Sequence, residues 1–210
     1  MYERYVKRAL DVVFSVVSMA VLSPLFLLIA VLIKLDSPGP VIFSQKRYGK
    51  DKALFDIYKF RSMRADAPHD VPTNDLRGAG GYITPLGKIL RKTSLDELPQ
   101  LWNILKGDMS LIGPRPALWN QYDLMELRDR YGASGVRPGL SGWAQVNGRD
   151  YLSRDLEKKA RRDAEYAKNI SFWFDVKCFL LTLVKVVNRQ GIVEGHEDRA
   201  NPGGSREDKP

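Results

Sequence analysis

The feature that most constrains this chain is a long apolar stretch near its start. From Val12 to Ile33 the sequence has 22 residues without a charged side chain. As an α-helix this stretch would be roughly 33 Å long, enough to cross the hydrocarbon core of a bilayer. It is longer than the apolar region of a secretory signal peptide, and no small-residue cleavage site follows it. The sequence therefore predicts a membrane helix at residues 1–35.

A proline near the centre of the stretch makes a straight helix unfavourable. Pro24 cannot donate a backbone hydrogen bond, and its ring clashes with the preceding turn, so we expect a kink. The hydroxyl of Ser23 can satisfy the freed carbonyls, which makes a kink tolerable in lipid. Ser23 and Pro24 are thus the predicted kink residues.

Both flanks of the apolar stretch are basic, and basic flanks prefer the cytoplasmic side of a membrane. The flanking side chains are Arg4, Lys7 and Arg8 before the stretch and Lys34, Lys46 and Arg47 after it. A broken helix that enters and leaves through one leaflet keeps both flanks in the cytoplasm, whereas a spanning helix places one flank outside. We therefore predict a re-entrant helix, with a kinked spanning helix as the alternative.

The sequence after the apolar stretch predicts a mostly helical α+β domain at residues 36–190. Alternating apolar and aromatic residues around a Gly-Lys-Asp-Lys turn indicate a β-hairpin of Val41–Tyr48 and Leu54–Arg61. Periodic apolar positions predict helices at Pro85–Lys92, Leu98–Lys106, Leu118–Tyr131, Arg154–Ala167 and Phe172–Arg189. The last helix is apolar around most of its circumference, so it is either deeply buried or amphipathic in a membrane interface.

Three segments have no apolar period. Residues 68–81 predict a mobile loop and residues 132–149 an irregular glycine-rich segment. The polar residues 191–210 predict a disordered tail. The net charge of +8 favours an anionic partner: nucleic acid, an acidic membrane surface or a phosphorylated substrate. The single cysteine excludes an intrachain disulfide and fits a reducing compartment.

Two adjacent carboxylates, Asp96 and Glu97, stand where a helix is predicted to begin. Ser94 before Glu97 matches a capping box, whereas Pro99 fits the first helical position. Either start places the carboxylates in the first turn or just ahead of it, where the helix dipole favours the ionised form. A nucleophile or a metal ligand needs that form. Taken alone, the pair is explained by ordinary helix capping.

The surroundings of the pair favour chemistry over capping. Arg115 lies between two prolines, which stiffen the chain and fix the direction of a guanidinium suited to phosphate. The segment Val136–Arg149 offers glycines for close backbone approach and polar groups at Arg137, Gln145 and Asn147. No glycine-rich dinucleotide motif and no phosphate-loop lysine motif occurs, so a dinucleotide or P-loop site is not indicated.

Several ordered motifs together resemble the bacterial sugar transferase family, the monotopic phosphoglycosyl transferases. The motifs are Ser23-Pro24 in the apolar helix, YKFRSM at 58–63, LRKTSLDELPQLWNILKGDMSLIGPRP at 90–116 and VRPGLSGWAQVNGR at 136–149. The resemblance covers roughly residues 1–190. It is to the small form of the family, which has the catalytic core and no extra transmembrane bundle.

The resemblance implies a re-entrant helix broken at Ser23-Pro24, several interfacial helices, and an active site on the cytoplasmic face of the bacterial inner membrane. It further implies that a sugar-1-phosphate passes from a UDP-sugar to undecaprenyl phosphate with release of UMP. The implied reaction is magnesium-dependent and ping-pong, with a covalent phospho-sugar on Asp96. Membrane lipids are implied partners, and a homodimer is left open.

The same resemblance assigns roles to further residues. Lys59, Arg91 and Arg115 fall where the family has basic residues near phosphates. Asp96 and Glu97 are the candidate Mg²⁺ ligands, and Glu97 could instead orient Asp96 or accept a proton. The candidate donor-substrate contacts are Arg137, Gln145 and Asn147. Small forms are associated with N-acetylated amino- or deoxyamino-sugars, so we expect such a donor, for a capsule, a lipopolysaccharide or another glycoconjugate.

A rival function is a membrane-tethered protein whose basic face binds nucleic acid or lipid head groups. It explains the anchor and the charge, but gives no reason for an acidic pair between Arg91 and Arg115, because carboxylates repel phosphate. We therefore expect no nucleic-acid partner. A structural scaffold with an inactive site would lack one member of the acidic pair. Both members are present, which argues against that hypothesis.

Overall fold

The computed structural model describes residues 1–71, 79–148 and 155–187, and it combines helices with two small sheets. The helices are α1 (Lys7–Asp36), α2 (Ala79–Tyr82), α3 (Pro85–Lys92), α4 (Gln100–Lys106), α5 (Tyr122–Tyr131), α6 (Trp143–Val146), α7 (Leu156–Lys168) and α8 (Phe172–Val187). The strands are β1 (Ile42–Tyr48), β2 (Leu54–Phe60), β3 (Ser110–Ile112) and β4 (Gly139–Ser141). The predicted mixture of helix and sheet is confirmed. The predicted tail at 191–210 and residues 72–78 of the predicted loop lie outside the described residues.

The predicted β-hairpin is present. β1 and β2 pair antiparallel, with Gln45 opposite Ile57, and a short turn after Gly49 joins them. The inner face of β2 buries Phe55 and Ile57 against Leu101 of α4, so the hairpin and α4 share one hydrophobic cluster. This packing matters for the site described below, because β2 and α4 each contribute to it.

Local signals at helix ends predict some boundaries and miss others. α3 has the predicted bounds, and α4 ends at Gly107, whose backbone is left-handed with φ of +97°. α5 begins at Tyr122 rather than at the predicted Leu118. The reason is tertiary: the chain at Leu118 runs beside β1, where the backbone N–H of Tyr48 donates to the carbonyl of Ala117 at 2.9 Å.

The glycine-rich segment at 132–149 is more regular than predicted. It contributes β4, which pairs in parallel with β3, and then the single-turn helix α6. Each of the two strands has three residues, which is too short for an alternating pattern to be recognised. The second sheet was therefore not predictable from periodicity.

α1 continues through Pro24 as one helix, preceded by one wider turn at Tyr2–Val6. The resemblance implied a helix broken at this point, so that expectation is wrong for this structure. Ser23 explains how the helix continues, as its hydroxyl donates to the carbonyl of Ala20 at 2.8 Å. Without this bond, that carbonyl would lack a hydrogen-bond donor, because Pro24, four residues later, has no backbone N–H.

The first turns of α1 are held to the rest of the chain by polar contacts. Lys7 Nζ lies 2.7 Å from Oδ2 of Asp175 in α8, and both side chains are buried. The guanidinium of Arg8 donates to the carbonyls of Ile104 and Leu105, at 2.5 and 2.8 Å, and so caps the end of α4.

The other end of α1 is held to the same domain by apolar and polar contacts. Ile33 packs in a buried cluster with Phe60 and Leu90, and the guanidinium of Arg61 donates to the carbonyl of Ser37 at 2.6 Å. Both ends of α1 therefore contact one domain.

The outward surface of α1 is apolar. From Tyr2 to Asp36 the helix is long and apolar enough to cross a membrane by length and composition alone. Its exposed apolar side chains include Leu10, Val13, Val17, Val21, Leu27, Leu28 and Leu35.

Candidate active site

The acidic pair lies just ahead of a helix, in a turn of its own. Leu95–Glu97 form a short 3₁₀ turn, and α4 starts only at Gln100. Ser94 has a left-handed backbone with φ of +57°, and its side chain makes no capping hydrogen bond, so the capping box is not formed. The carboxylates therefore lie ahead of α4, as in the second predicted arrangement, but Pro99 is the N-cap residue rather than the first helical one.

Glu97 is the centre of a three-residue ion-pair network. Its Oε1 accepts from Nζ of Lys59 at 2.8 Å and from a terminal nitrogen of Arg115 at 2.9 Å. The exposed fractions of the side chains are 12% for Glu97, 17% for Lys59 and 29% for Arg115. Because the carboxylate is mostly shielded from water, both pairs are stronger than surface ion pairs. The negative charge of Glu97 also raises the pKa of Arg115.

Asp96 is buried beside this network, and its charge is not fully compensated. Burial raises the pKa of Asp96, with the negative charge of Glu97 adding to the effect, while Lys59, Arg91 and Arg115 oppose it. The expectation that the helix start would favour the ionised form is therefore outweighed by desolvation. A buried carboxylate in cationic surroundings, with few solvating partners of its own, is suited to act as a nucleophile.

A buried asparagine joins the strand that carries Lys59 to the helix that follows the acidic turn. Asn103 of α4 accepts from the backbone N–H of Tyr58 at 3.0 Å and donates to the carbonyl of Asp56 at 2.7 Å. These bonds fix α4 against β2 and thereby set the position of Lys59 relative to the acidic turn. Sequence reasoning missed Asn103, although an amide inside an apolar helical run was a usable signal.

Arg115 is held in place by a hydrogen bond to its backbone as well as by the contact of its side chain with Glu97. The guanidinium of Arg128 donates to the carbonyl of Arg115 at 2.9 Å. Before it, the backbone N–H of Gly113 donates to the carbonyl of Ser141 at 2.8 Å. A Cβ at Gly113 would lie 2.4 Å from the carbonyl oxygen of Arg137, so only glycine allows this approach. The glycine-rich motif therefore supports the turn that carries Arg115.

The predicted site residues divide into two groups. Lys59, Arg91 and Arg115 act on the charge of Asp96. Their predicted place near the phosphates of a substrate stays a prediction.

The three candidate donor contacts hydrogen-bond elsewhere in the chain. Arg137 donates to the carbonyl of Gly107 at 3.0 Å, Gln145 to that of Leu140 at 3.4 Å and Asn147 to that of Trp143 at 2.8 Å. Oε1 of Gln145 is buried without a hydrogen-bond partner among the described residues. None of these bonds brings the three side chains to the acidic pair.

Asp96 and Glu97 are the side chains of this site that could hold a divalent cation. No group of three or more His, Cys, Asp or Glu side chains with metal-binding geometry occurs in the described ranges. Asp96 and Glu97 nevertheless provide adjacent carboxylate oxygens, the donor type that Mg²⁺ prefers. Mg²⁺ is commonly bound by one or two carboxylates together with substrate phosphates and water. The acidic pair fits that pattern.

Comparison with known proteins gives a consistent result. A family model described as bacterial sugar transferase matches residues 2–189. Over 192 residues the chain is 43% identical to UDP-glucose:undecaprenyl-phosphate glucose-1-phosphate transferase of Escherichia coli (strain K12), covering 87% of this chain and 40% of the relative. It is also 43% identical over 195 residues to UDP-N-acetylgalactosamine-undecaprenyl-phosphate N-acetylgalactosaminephosphotransferase of Aeromonas hydrophila, covering 89% and 45%.

A shorter relative matches along nearly its whole length. The uncharacterized sugar transferase EpsL of Bacillus subtilis (strain 168) is 38% identical over 188 residues, covering 89% of each chain. The chain thus spans less than half the length of the two relatives named for a reaction, and most of a relative without an assigned reaction.

Proposed function

The chain belongs to the bacterial sugar transferase family, and on that premise we propose that it transfers a sugar-1-phosphate from a UDP-sugar to undecaprenyl phosphate, with release of UMP. Two longer relatives are named for transfers of this kind. The observation that carries the proposal is the buried Asp96 beside Glu97, whose carboxylate binds both Lys59 and Arg115. This reaction would be a membrane step in the assembly of a glycoconjugate.

The proposed reaction has two chemical steps. A carboxylate oxygen of Asp96 attacks the phosphorus that bears the sugar, and the bond from that phosphorus to the bridging oxygen breaks. UMP leaves with the bonding electron pair, and a phospho-sugar remains on Asp96. An oxygen of the polyprenyl phosphate then attacks the same phosphorus, which transfers the sugar-phosphate and frees Asp96. The kinetics are therefore ping-pong.

The cations around Asp96 offset the charge of the diphosphate. Arg115 presents a planar fork of donors that matches phosphate oxygens, and Lys59 adds a point charge. Without substrate both are held by Glu97, at 2.9 and 2.8 Å. Glu97 thus positions the two cations, in addition to the metal-binding or proton-accepting role left open by the sequence. Such preorganised charge needs little rearrangement during the reaction.

Magnesium is part of the proposal. Asp96 and Glu97 would hold Mg²⁺ together with the phosphates of the donor. Bound there, the ion would offset negative charge on the diphosphate and so assist attack by a carboxylate.

We propose that the enzyme is monotopic, with its active site on the cytoplasmic face of the bacterial inner membrane. Both ends of α1 contact one domain, through Lys7 at the start and Ile33 at the end, which favours both ends lying on the same side of the bilayer. The apolar outward surface of α1 would then rest in one leaflet, close to the lipid-bound acceptor. The basic flanks agree with a cytoplasmic orientation.

The donor sugar is proposed to be an N-acetylated amino- or deoxyamino-sugar, the class that the family resemblance in the sequence suggests. The names of the two longer relatives divide between glucose and N-acetylgalactosamine. A donor panel must therefore include both classes.

The decisive experiment uses the purified chain in lipid nanodiscs with Mg²⁺ and a panel of UDP-sugars, without acceptor. We expect a burst of at most one UMP per enzyme and a sugar-phosphate adduct that peptide mapping assigns to Asp96. Asp96→Asn should abolish the burst, and the exposed Asp123→Asn on α5 serves as the matched control. UMP release that strictly requires polyprenyl phosphate, or an adduct on another residue, would overturn the covalent mechanism.

A further inference from the structure

A second group of cations lies next to Arg115, outside the network around Glu97. Arg47 of β1 donates to the carbonyl of Pro116 at 3.2 Å, and Arg128 of α5 donates to the neighbouring carbonyl of Arg115 at 2.9 Å. Two guanidinium groups thus bind consecutive carbonyls of the turn that carries the active-site arginine. The positive charge of Arg115 acts directly on that of Arg47.

Lys159 of α7 joins this group. It lies one helical turn before Asp163, on the same face of α7, and Asp163 forms a buried ion pair with Arg128 at 2.6 Å. Ala160, the next residue, is fully buried in the interface with α5. The charge of Lys159 therefore faces the same region as those of Arg128, Arg115 and Arg47, and all three act on it.

The positive charge of this group is only partly balanced within the described residues, by Asp163 and, at Arg47, by Glu97. Asp163 neutralises Arg128, but Nζ of Lys159 has no hydrogen bond and no ion pair among them. Arg47 binds only a carbonyl and the side-chain oxygen of Gln45, and its Nε is buried without a partner in the same part of the chain.

This uncompensated charge has an electrostatic cost. Burial and the positive charge of Arg128 lower the pKa of Lys159 to about 8, with Asp163 opposing the effect. Burial and the positive charge of Arg115 lower the pKa of Arg47 to about 10, with Glu97 opposing the effect. A bound anion would relieve this repulsion, and preformed clusters of cations are characteristic of phosphate sites.

We propose that Lys159 and Arg47 form the subsite for the nucleotide phosphate, the group that leaves as part of UMP. Arg115 is common to both groups of charges, because it binds Glu97 on one side and adjoins Arg47 and Lys159 on the other. The transferred phosphate lies at Asp96, and the nucleotide phosphate is joined to it through one bridging oxygen. The second phosphate therefore falls beside Arg115, toward Lys159. This inference deepens the proposed function and rests on it.

The test measures equilibrium binding of UMP to the full chain in nanodiscs with Mg²⁺, which does not depend on turnover. Lys159→Met should weaken UMP binding about 10-fold or more, the scale of a charge-assisted hydrogen bond, while Lys159→Arg should stay within about 3-fold. Uridine, which has no phosphate, should bind both variants as it binds wild type. Lys158→Met is the matched control, because its exposed side chain pairs with Asp155.

A second measurement separates the two phosphates that the reaction uses. After a burst with UDP-sugar, polyprenyl phosphate is added and the decay of the Asp96 adduct is followed. Lys159→Met should leave this decay within about 2-fold of wild type, well below the effect of a lost charge-assisted hydrogen bond. Slowed decay with unchanged UMP binding would assign the subsite to the acceptor phosphate and overturn the proposal.

Two further outcomes would also overturn the proposal. In the first, Lys159→Met binds UMP as tightly as wild type. In the second, Lys158→Met loses as much UMP affinity as Lys159→Met. Failure of the proposed function can be distinguished from failure of this inference, because the wild-type protein would then show no UMP burst. A raised melting temperature of Lys159→Met is expected, because the change removes like-charge repulsion, and it would exclude misfolding as the cause of weak binding.

Discussion

Arg128 and Asp163 form a buried two-point ion pair that also holds the backbone of Arg115 in the candidate active site. Nε and one terminal nitrogen of Arg128 lie 2.9 and 2.6 Å from Oδ2 of Asp163, and that terminal nitrogen donates to the carbonyl of Arg115 at 2.9 Å. The side chains are 5% and 1% exposed. The ion pair that joins α5 to α7 is therefore directly hydrogen-bonded to the turn that contains Arg115.

Breaking this pair should cost stability and activity together. Arg128→Met leaves Asp163 buried and unpaired, so we expect a loss of about 3–5 kcal/mol in the free energy of unfolding. At about 2–4 °C per kcal/mol, the melting temperature should fall by roughly 6 °C or more. The exposed Arg130→Met on the same helix should change it little. Equal melting temperatures for the two variants would show that the pair does not stabilise the fold.

Arg115→Lys should lose more activity than the retained charge implies. Lysine replaces the planar fork by a point charge, so one charge-assisted hydrogen bond to phosphate is lost. We expect kcat/KM for the UDP-sugar to fall about 10-fold or more. Arg162→Lys, an exposed change of the same type on α7, should leave it unaltered. Activity of Arg115→Lys within about 2-fold of wild type would remove Arg115 from the phosphate site.

Asp96 and Glu97 should affect stability in opposite directions. Because the pKa of Asp96 is raised in the fold, the folded state holds more protons between the ordinary and the raised value, and stability falls as the pH rises through that window. The neutral Asp96→Asn removes this penalty and should raise the melting temperature at about pH 7. Glu97→Gln leaves Lys59 and Arg115 without their carboxylate and should lower it. The reverse order would contradict the electrostatics described for the pair.

The raised pKa of Asp96 also predicts where the acid limb of the pH–rate profile lies. In the proposed mechanism Asp96 must be an anion to attack phosphorus, so the burst rate should decline as the pH falls, at values above the ordinary range of an aspartate. Lys59 is the largest charge that opposes the shift, so Lys59→Met should move the limb to higher pH, whatever its effect on the maximal rate. The measurement is the UMP burst rate as a function of pH. A limb unmoved by Lys59→Met would disprove this electrostatic coupling.

Both ends of α1 should be inaccessible from outside the cell. Cysteines introduced as Arg4→Cys and Asp36→Cys should react with a membrane-impermeant reagent only after permeabilisation. The native Cys178 is fully buried, and Cys178→Ser provides a background without thiols. Labelling of either position in intact cells would refute the monotopic arrangement.

Pro24→Ala tests the same topology from the helix itself. Alanine restores a backbone N–H at this position and removes the clash of the ring, so the change should favour a straight spanning helix. In the same labelling assay one end should then become accessible in a fraction of the molecules. Pro68→Ala is the matched control, because Pro68 is an exposed proline outside α1. Identical labelling of wild type and Pro24→Ala would show that Pro24 does not determine the topology.

Much of the local structure was predictable because it depends on near neighbours in the chain. The long uncharged run predicted α1, and alternation around Gly49 predicted the hairpin. Gly107 predicted the end of α4, since a left-handed residue stops a helix. The acidic pair was likewise recognisable at the start of a helix, beside the motif that contains Arg115.

The tertiary structure alone decided which side chains meet. Lys59 is 38 positions before Glu97, and Arg115 is 18 positions after it, so no local pattern reports that both bind one carboxylate oxygen. The same holds for Lys159 beside Arg115, and for the two strands whose three residues are too short for a period. Periodicity and capping reflect forces between residues a few positions apart. The contacts that create the site come from packing between distant segments, which only the folded chain brings together.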